Sequence, residues 1–338
     1  RVWNFARTQE KIKSTLSGLT GNEDGLQGYW KFNAGTDIIV YDYSGNLNHG
    51  AIIGATWSKK DLVVGCTDSL AGNYNSDATV DNGSCSGYPA NGNFNISFDG
   101  VDDYISLPDL SYMNDLSFSA WYKIDTRDTW ERIFDFGKGG SGDIFLTTKG
   151  GRTGGDLELT IHSSGKTHTI DPGITTDDGN WHHVVFTYDK GGSGMTLYID
   201  GQNKGSNAYN TNSLSDFGSG QKFYLAKSNW NDKYYDGQMG EVGLYNKALS
   251  ADEVTSIYTG GSNFDLNTNF GKYVSESNLI GYWKFDAGTD TIAYDHSGYA
   301  NHAAINGATW IKFDDSTSTG GLDKYKSPIS LNPYPTSI

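Results

Sequence analysis

One stretch of this chain is written twice. Gly-Tyr-Trp-Lys-Phe-Asn-Ala-Gly-Thr-Asp begins at Gly28 and is followed by Tyr41-Asp42, Ser44-Gly45, Asn48-His49 and Gly54-Ala-Thr-Trp57. Gly-Tyr-Trp-Lys-Phe-Asp-Ala-Gly-Thr-Asp begins at Gly281 and is followed by Tyr294-Asp295, Ser297-Gly298, Asn301-His302 and Gly307-Ala-Thr-Trp310. The offset is 253 residues, without a gap. A looser echo precedes each copy: Trp3-Asn4-Phe5-Ala6, and Tyr245-Asn246-Lys247-Ala248. Solenoid repeats recur every 20–50 residues or so, and a longer period is a whole domain. The chain therefore reads as one unit and a fraction of a tandem array, opening inside the end of one unit and running through the next. That organisation suits a long, modular, surface-displayed protein.

Composition narrows the fold. Of 338 residues, 44 are Gly, 22 Tyr and 9 Trp, and only 19% are charged. Few charges with many aromatics and turn-forming glycines indicate an all-β protein. The net charge of −15 repels phosphate backbones and argues against nucleic acid as a partner. The same carboxylates suit a secreted protein that meets calcium, or serve solubility alone. No apolar run approaches the roughly 20 residues that span a bilayer, so no membrane insertion is expected in this segment. Cys66 and Cys85 stand in one polar loop with no further Cys or His to complete a zinc site. The pair reads as a disulfide, hence an oxidising, extracellular setting; the alternative is two free thiols.

Only two helices are expected. One follows Thr8 as N-cap, with Ile12 and Leu16 on one face; the other opens on the capping box Ser250-Ala-Asp-Glu253 and carries Val254, Ile257 and Tyr258. Between Phe94 and Tyr245 short strands alternate with turns. Phe118, Ala120, Tyr122 and Ile124 share one face, as do Val184, Phe186 and Tyr188, and Asp200-Gly201 marks a tight hairpin. Many short strands at regular spacing indicate a β-sandwich or jelly roll.

Several segments carry a family resemblance as a set. Phe98-Asp-Gly-Val-Asp-Asp-Tyr-Ile105, Phe118-Ser-Ala-Trp-Tyr122, Asp178-Gly-Asn-Trp-His-His-Val184, Leu197-Tyr-Ile-Asp-Gly201 and Gly237-Gln-Met-Gly-Glu-Val-Gly-Leu-Tyr-Asn246 resemble successive strands of the laminin G-like, concanavalin A-like jelly roll. The Gly-Tyr-Trp-Lys-Phe copies resemble a flanking strand and loop of the same family. The Cys66–Cys85 loop is similar to short Cys-bounded, Asp/Asn-rich repeats in Bacteroidota surface proteins. On this resemblance residues 1–57 are the C-terminal part of a preceding unit, 58–93 a Cys-clamped linker or insert, 94–313 a laminin G-like sandwich and 314–338 an extended linker. The competing assignment gives Gly28 to Trp57 to the start of the central sandwich. The family includes lectins, adhesion modules, pentraxins and glycosidase accessory domains, and fold alone does not choose among them.

Catalysis is not expected. Concanavalin-like glucanases set alternate acids on one strand, and no such triplet occurs here. Asp156 and Glu158 form one alternate pair; Glu131 and Asp135 lie four apart, and Asp135 also reads as a turn cap. His182 and His183 alternate on a strand and read as structural. For calcium, Asn73, Asn75, Asp77, Thr79 and Asp81 recur at every second position of the Cys loop, with Asn73, Asn75, Asp77 and Asp81 at places 1, 3, 5 and 9 of an EF-hand, but Ala78 replaces its turn glycine and Ser84 its bidentate Glu. A looser oxygen cage and a row of Asx turns both fit. The resemblance adds Asp99, Asp102, Asp236 and Glu241, where relatives hold calcium. For sugars, Trp130, Trp230, Tyr234 and Tyr235 sit in polar contexts, and the run from Trp230 to Asp236 is the densest cluster. Rim-closing aromatics are the competing reading. The expected function is a structural and adhesive module of a large repetitive secreted protein at the bacterial surface, a fibre or giant adhesin, with neighbouring repeats or copies of the same protein, and surface glycans, as partners. A carbohydrate-binding module of a polysaccharide-degrading enzyme is the alternative.

Overall fold

A computed structural model describes residues 1–7, 11–12, 15, 18–58, 62–140, 142–151, 156–261, 264–312 and 325. Two compact units result, Arg1–Val63 and Val64–Ile338. The helix expected after Thr8 falls largely outside the described residues, as does the tail except Tyr325.

The larger unit is built from β1 (Phe94–Asp99), β2 (Tyr104–Ser106), β3 (Leu116–Thr126), β4 (Arg132–Gly137), β5 (Gly142–Thr147), β6 (Glu158–Ser163), β7 (Lys166–Ile170), β8 (His182–Asp189), β9 (Gly194–Ile199), β10 (Gln202–Asn207), β11 (Lys222–Leu225), β12 (Asp236–Tyr245), β13 (Leu279–Trp283), β14 (Ile292–Ala293), β15 (Ala303–Asn306) and β16 (Thr309–Lys312). They form two antiparallel sheets. The front sheet runs β7-β6-β5-β4-β11-β2-β15-β14, and the back sheet β10-β9-β8-β3-β12-β1-β16, with β13 also against β12. This is the all-β, concanavalin A-like sandwich.

Period-two alternation turns one face of each sheet inward. Phe118, Ala120, Tyr122 and Ile124 of β3 and Val184, Phe186 and Tyr188 of β8 meet Phe134, Phe136, Ile144 and Leu159 of the front sheet in one apolar core. At the β9–β10 turn Asp200 and Gly201 both take positive φ, 52° and 73°, the pairing that a tight right-twisted hairpin needs. Helix α1 (Ala251–Gly260) has its capping box formed in both directions between Ser250 and Glu253. Its Val254 and Ile257 bury against Val185, Tyr198 and Tyr245 on the outer face of the back sheet.

The second copy of the repeat supplies β13 to β16 and so joins both sheets. The Cys66–Cys85 disulfide forms. Its loop packs on this copy: both cysteines, Ala71 and Tyr88 share a cluster with Ala287 and Tyr294. Asp68 accepts hydrogen bonds from Tyr88 Oη and His302 Nε2, each at 2.7 Å. The segment with no core of its own borrows one.

In the smaller unit Val2–Trp3 pairs with Leu26–Gly28, and Ile39–Val40 with Gly50–Ala51.

Candidate binding cleft

The outward residues of the front sheet carry the polar chemistry. In β4 the inward set is Ile133, Phe134 and Phe136, with a register shift between Arg132 and Phe134. Arg132 and Asp135 therefore face outward, beside Asp143 and Phe145 of β5 and Glu158, Thr160 and His162 of β6. Most of them are nevertheless buried.

Arg132 is the hub. Its Nη1 donates to Trp130 O at 2.6 Å, its Nη2 to Asp232 Oδ2 at 3.0 Å, and its Nε lies 3.5 Å from Asp135 Oδ2. The guanidinium stacks 4.1 Å over Phe145. Burial pulls its pKa down against the charges of Asp135 and Asp232, which hold it up. Asp135 accepts from Asn229 N and Nδ2 at 3.0 Å each, and burial still pushes it up to about 6. Asp143 takes the Gly139 N–H at 2.6 Å on one oxygen, while the other faces His162 Nδ1 at 4.0 Å. Burial raises the Asp143 carboxyl and lowers the His162 imidazole.

Beside this cluster opens a cleft of about 550 Å³, lined by Gly100, Val101, Thr129, Asn231, Asp232, Lys233 and Tyr234. Asp232 is the link, facing the cleft while held by Arg132 and by Ser228 Oγ at 2.9 Å. Tyr234 also belongs to a cage. Lys227 Nζ lies 3.8 Å from the Tyr104 ring centroid, 4.9 Å from Tyr224 and 5.6 Å from Tyr234. The cleft thus offers an amide, a carboxylate, an ammonium and a phenol ring to one ligand.

The aromatic residues singled out in the sequence separate. Trp230 is 46% exposed near the cleft, edge-on to His162 at 6.2 Å. Tyr234 lines the cleft. Trp130 is half-buried, and its ring lies where any side chain at Gly151 would stand. Tyr235 turns the other way and is a correction: it is fully buried in the core, its hydroxyl donating to Lys123 O at 2.7 Å. Neighbours on an extended chain point to opposite sides, so Tyr234 and Tyr235 could not share one surface.

The candidate metal ligands separate too. Asp99, Asp102 and Asp103 hold carboxylate oxygens within 4.8 Å of one another, the one such acidic group among the described residues. Sequence reasoning passed over Asp103. It is buried, accepts the Asp99 N–H at 3.1 Å, and has its pKa raised by burial and further by the charges of Asp99 and Asp102. Hard oxygen donors under mutual repulsion suit a divalent cation. Asp236 stands opposite Asp99 in the ladder. Glu241 lies further along β12, where Tyr282 Oη donates to it at 3.4 Å. In the Cys loop, Asn73 bridges Ser84 O and Ser86 N, Asn75 accepts from Asp77 N, and Asp81 accepts from Gly83 N and Thr67 Oγ1. Asn75 and Asp81 thus close Asx turns, while Asn73 and Asp81 also tie together distant parts of the loop.

The weighed catalytic groups are committed elsewhere. Glu131 is buried, accepts from Thr148 Oγ1 at 2.7 Å and Asp128 N at 3.1 Å, and is pushed up to about 7 by burial. His183 lies under the helix against Trp121, with Ser119 Oγ 2.9 Å from its Nε2. His182 sits between Asp200 at 2.8 Å and Asp178 at 3.1 Å.

Residues 99–255 match the family described as the concanavalin A-like lectin/glucanases superfamily. No curated protein matches the chain. Solved structures that resemble it include domain 4 of AbnA, a GH43 extracellular arabinanase from Geobacillus stearothermophilus, in complex with arabinotriose, at 26% identity over 52% of this chain and 83% of that one, TM-score 0.43. The CBM40 of a Ruminococcus gnavus IT-sialidase is 15% identical over 48% and 95%, TM-score 0.41. A heptameric SAP-like pentraxin from Limulus polyphemus is 16% identical over 57% and 92%, TM-score 0.40.

Proposed function

We propose, on the premise that residues 99–255 are a domain of the concanavalin A-like superfamily, that this chain is a non-catalytic module that holds a glycan in the Tyr234 cleft. The observation that carries the reading is the run from Asn231 to Tyr234: four consecutive side chains border one open cleft. Asn231, Asp232 and Lys233 suit sugar hydroxyls, and the faces of Tyr234 and exposed Trp230 suit the apolar side of a pyranose. Glu131 and Asp135 are buried and spend their oxygens on hydrogen bonds within the protein, which supports binding over hydrolysis. The repeat supports a spacer and adhesive role in a modular protein, and the disulfide supports an extracellular site. Calcium at Asp99, Asp102 and Asp103, next to Gly100 and Val101 of the cleft, belongs to the same proposal.

The test is a glycan array of the whole chain with millimolar calcium and again with chelator. Binding to at least one glycan is expected. Trp230→Ala and Tyr234→Ala should each weaken it about tenfold, or ~1.4 kcal/mol, and Asp102→Asn should remove any calcium dependence. No binding on the array sinks the glycan reading. Binding confined to one plant or algal polysaccharide makes the enzyme-accessory module the better description.

A further inference from the structure

The two copies of the repeat fold alike. In the first, Tyr29 N and Ser44 N donate to Asp42 Oδ1 at 2.7 and 2.9 Å, while Ser44 Oγ and Asn48 N donate to Oδ2 at 2.7 and 3.0 Å. In the second, Tyr282 N and Ser297 N donate to Asp295 Oδ1 at 2.8 and 2.9 Å, while Ser297 Oγ and Asn301 N donate to Oδ2 at 2.8 Å each. Trp30 Nε1 donates to Asn48 O, and Trp283 Nε1 to Asn301 O. Phe32 and Phe285 share the strained left-handed backbone, at φ 51° and 50°. Even the preceding strand repeats: Val2 and Trp3 pair with Gly28 and Leu26 as Leu244 and Tyr245 pair with Gly281 and Leu279.

Their surroundings differ. Phe285 is 3% exposed and its counterpart Phe32 67%; Tyr294 is 8% exposed and Tyr41 41%. Ala287 is buried and Ala34 exposed; Trp283 is buried and Trp30 half-exposed. In the second copy Trp283 and Phe285 join the core that holds Ile96, Ile105 and Val242. There Trp283 lies opposite Val242, Ile305 opposite Ile105, and Trp310 opposite Ile96. Among the described residues of Arg1–Val63 nothing corresponds to β1, β2 or the first half of β12. An identical hydrogen-bonded cassette with its core-facing side bare defines what is missing by what covers the other copy.

We propose that Arg1–Val63 is the closing cassette of a second sandwich. Its bare face, around Trp30, Phe32, Ala34 and Tyr41, is covered by a strand set of the kind formed by residues 94–245, carried ahead of it on the same polypeptide. This goes beyond glycan binding and stands independently of it. A second copy of this chain is the poorer occupant, because its own strand set is already closed by its residues 279–312 and an intramolecular partner wins by effective concentration.

The experiment uses single thiols, since both natural cysteines are in the disulfide. Phe32→Cys and Phe285→Cys are made in the whole chain, and again in a chain with residues 64–242 duplicated ahead of Arg1, so that Val2–Trp3 continue the duplicated strand as Leu244–Tyr245 continue the original. In the parent chain Cys at 32 should react fast and Cys at 285 slowly. In the extended chain the reaction at 32 should slow about tenfold or more, the signature of a site that must open to react, with no change at 285. An unslowed reaction overturns the proposal. So does failure of the duplicated strands to fold, provided the same duplicate folds when followed by its own residues 243–312. Protection at 32 already in the parent chain overturns the assigned source, light scattering then separating a dimer from cover by the chain's own larger unit.

Discussion

At the scale of single residues, the structure ties charge to pH. Burial pushes the His182 imidazole down, but hydrogen bonds and charge from Asp200 and Asp178 outweigh it, so its pKa is raised above 6.5. Asp178 moves the other way, lowered below 3.8: burial raises it, and the Asn180 and His182 contacts overcome that. A raised folded pKa favours the protonated native state. The His182 contribution is therefore fully present below pH 6.5 and is lost as pH rises through the folded value. The Asp178 contribution is present above pH 3.8 and lost on acidification. The stability difference between the natural chain and His182→Gln, from denaturant titrations, should be largest near pH 5 and of order 1 kcal/mol. It should shrink toward pH 9 or so; a gap that ignores pH refutes the ion pairs. None of this was visible in the sequence, where His182 read only as structural. Asp178 lies four residues away and Asp200 eighteen, across the β8–β9 hairpin.

At the scale of elements, local signals are legible in the sequence and non-local ones are not. The capping box of α1 and the inward faces of β3 and β8 follow from spacing of three and two residues. The strands β7 (Lys-Thr-His-Thr-Ile) and β10 (Gln-Asn-Lys-Gly-Ser-Asn) carry no apolar alternation, because they close the edges of their sheets, where polar side chains are tolerated and pairing alone makes a strand. The repeated Asp cassette is the element whose energetics is easiest to test. Asp295 is fully buried and accepts four hydrogen bonds, so Asp295→Ala strands four donors. It should cost the sandwich about 3 kcal/mol or more. The equivalent change Asp42→Ala should leave the sandwich transition where it was. Equal destabilisation of the sandwich by both changes would refute the division into separate cassettes.

For the whole molecule, the division at Val63 predicts two unfolding events. Sixty-odd residues bury only about 60% of the surface of their unfolded chain, and here part of what remains exposed is apolar. Calorimetry should show a small transition of Arg1–Val63 below the main one, moved by Asp42→Ala and untouched by Asp295→Ala. One cooperative transition sensitive to both would contradict it. The amino-acid sequence by itself determined the β-sandwich class and the repeat, because each is a matter of composition or of spacing, and its two cysteines left one possible disulfide, which the structure forms. Tertiary structure alone decided that Tyr234 meets the cleft while Tyr235 enters the core, that Asp103 completes the acidic group with Asp99 and Asp102, and that Arg132 holds Asp232 from a hundred residues away. It also buries Trp283 and Phe285 of the second cassette in the sandwich core. These outcomes depend on strand register and on what packs across a sheet, and both are set by pairings between segments far apart in the chain.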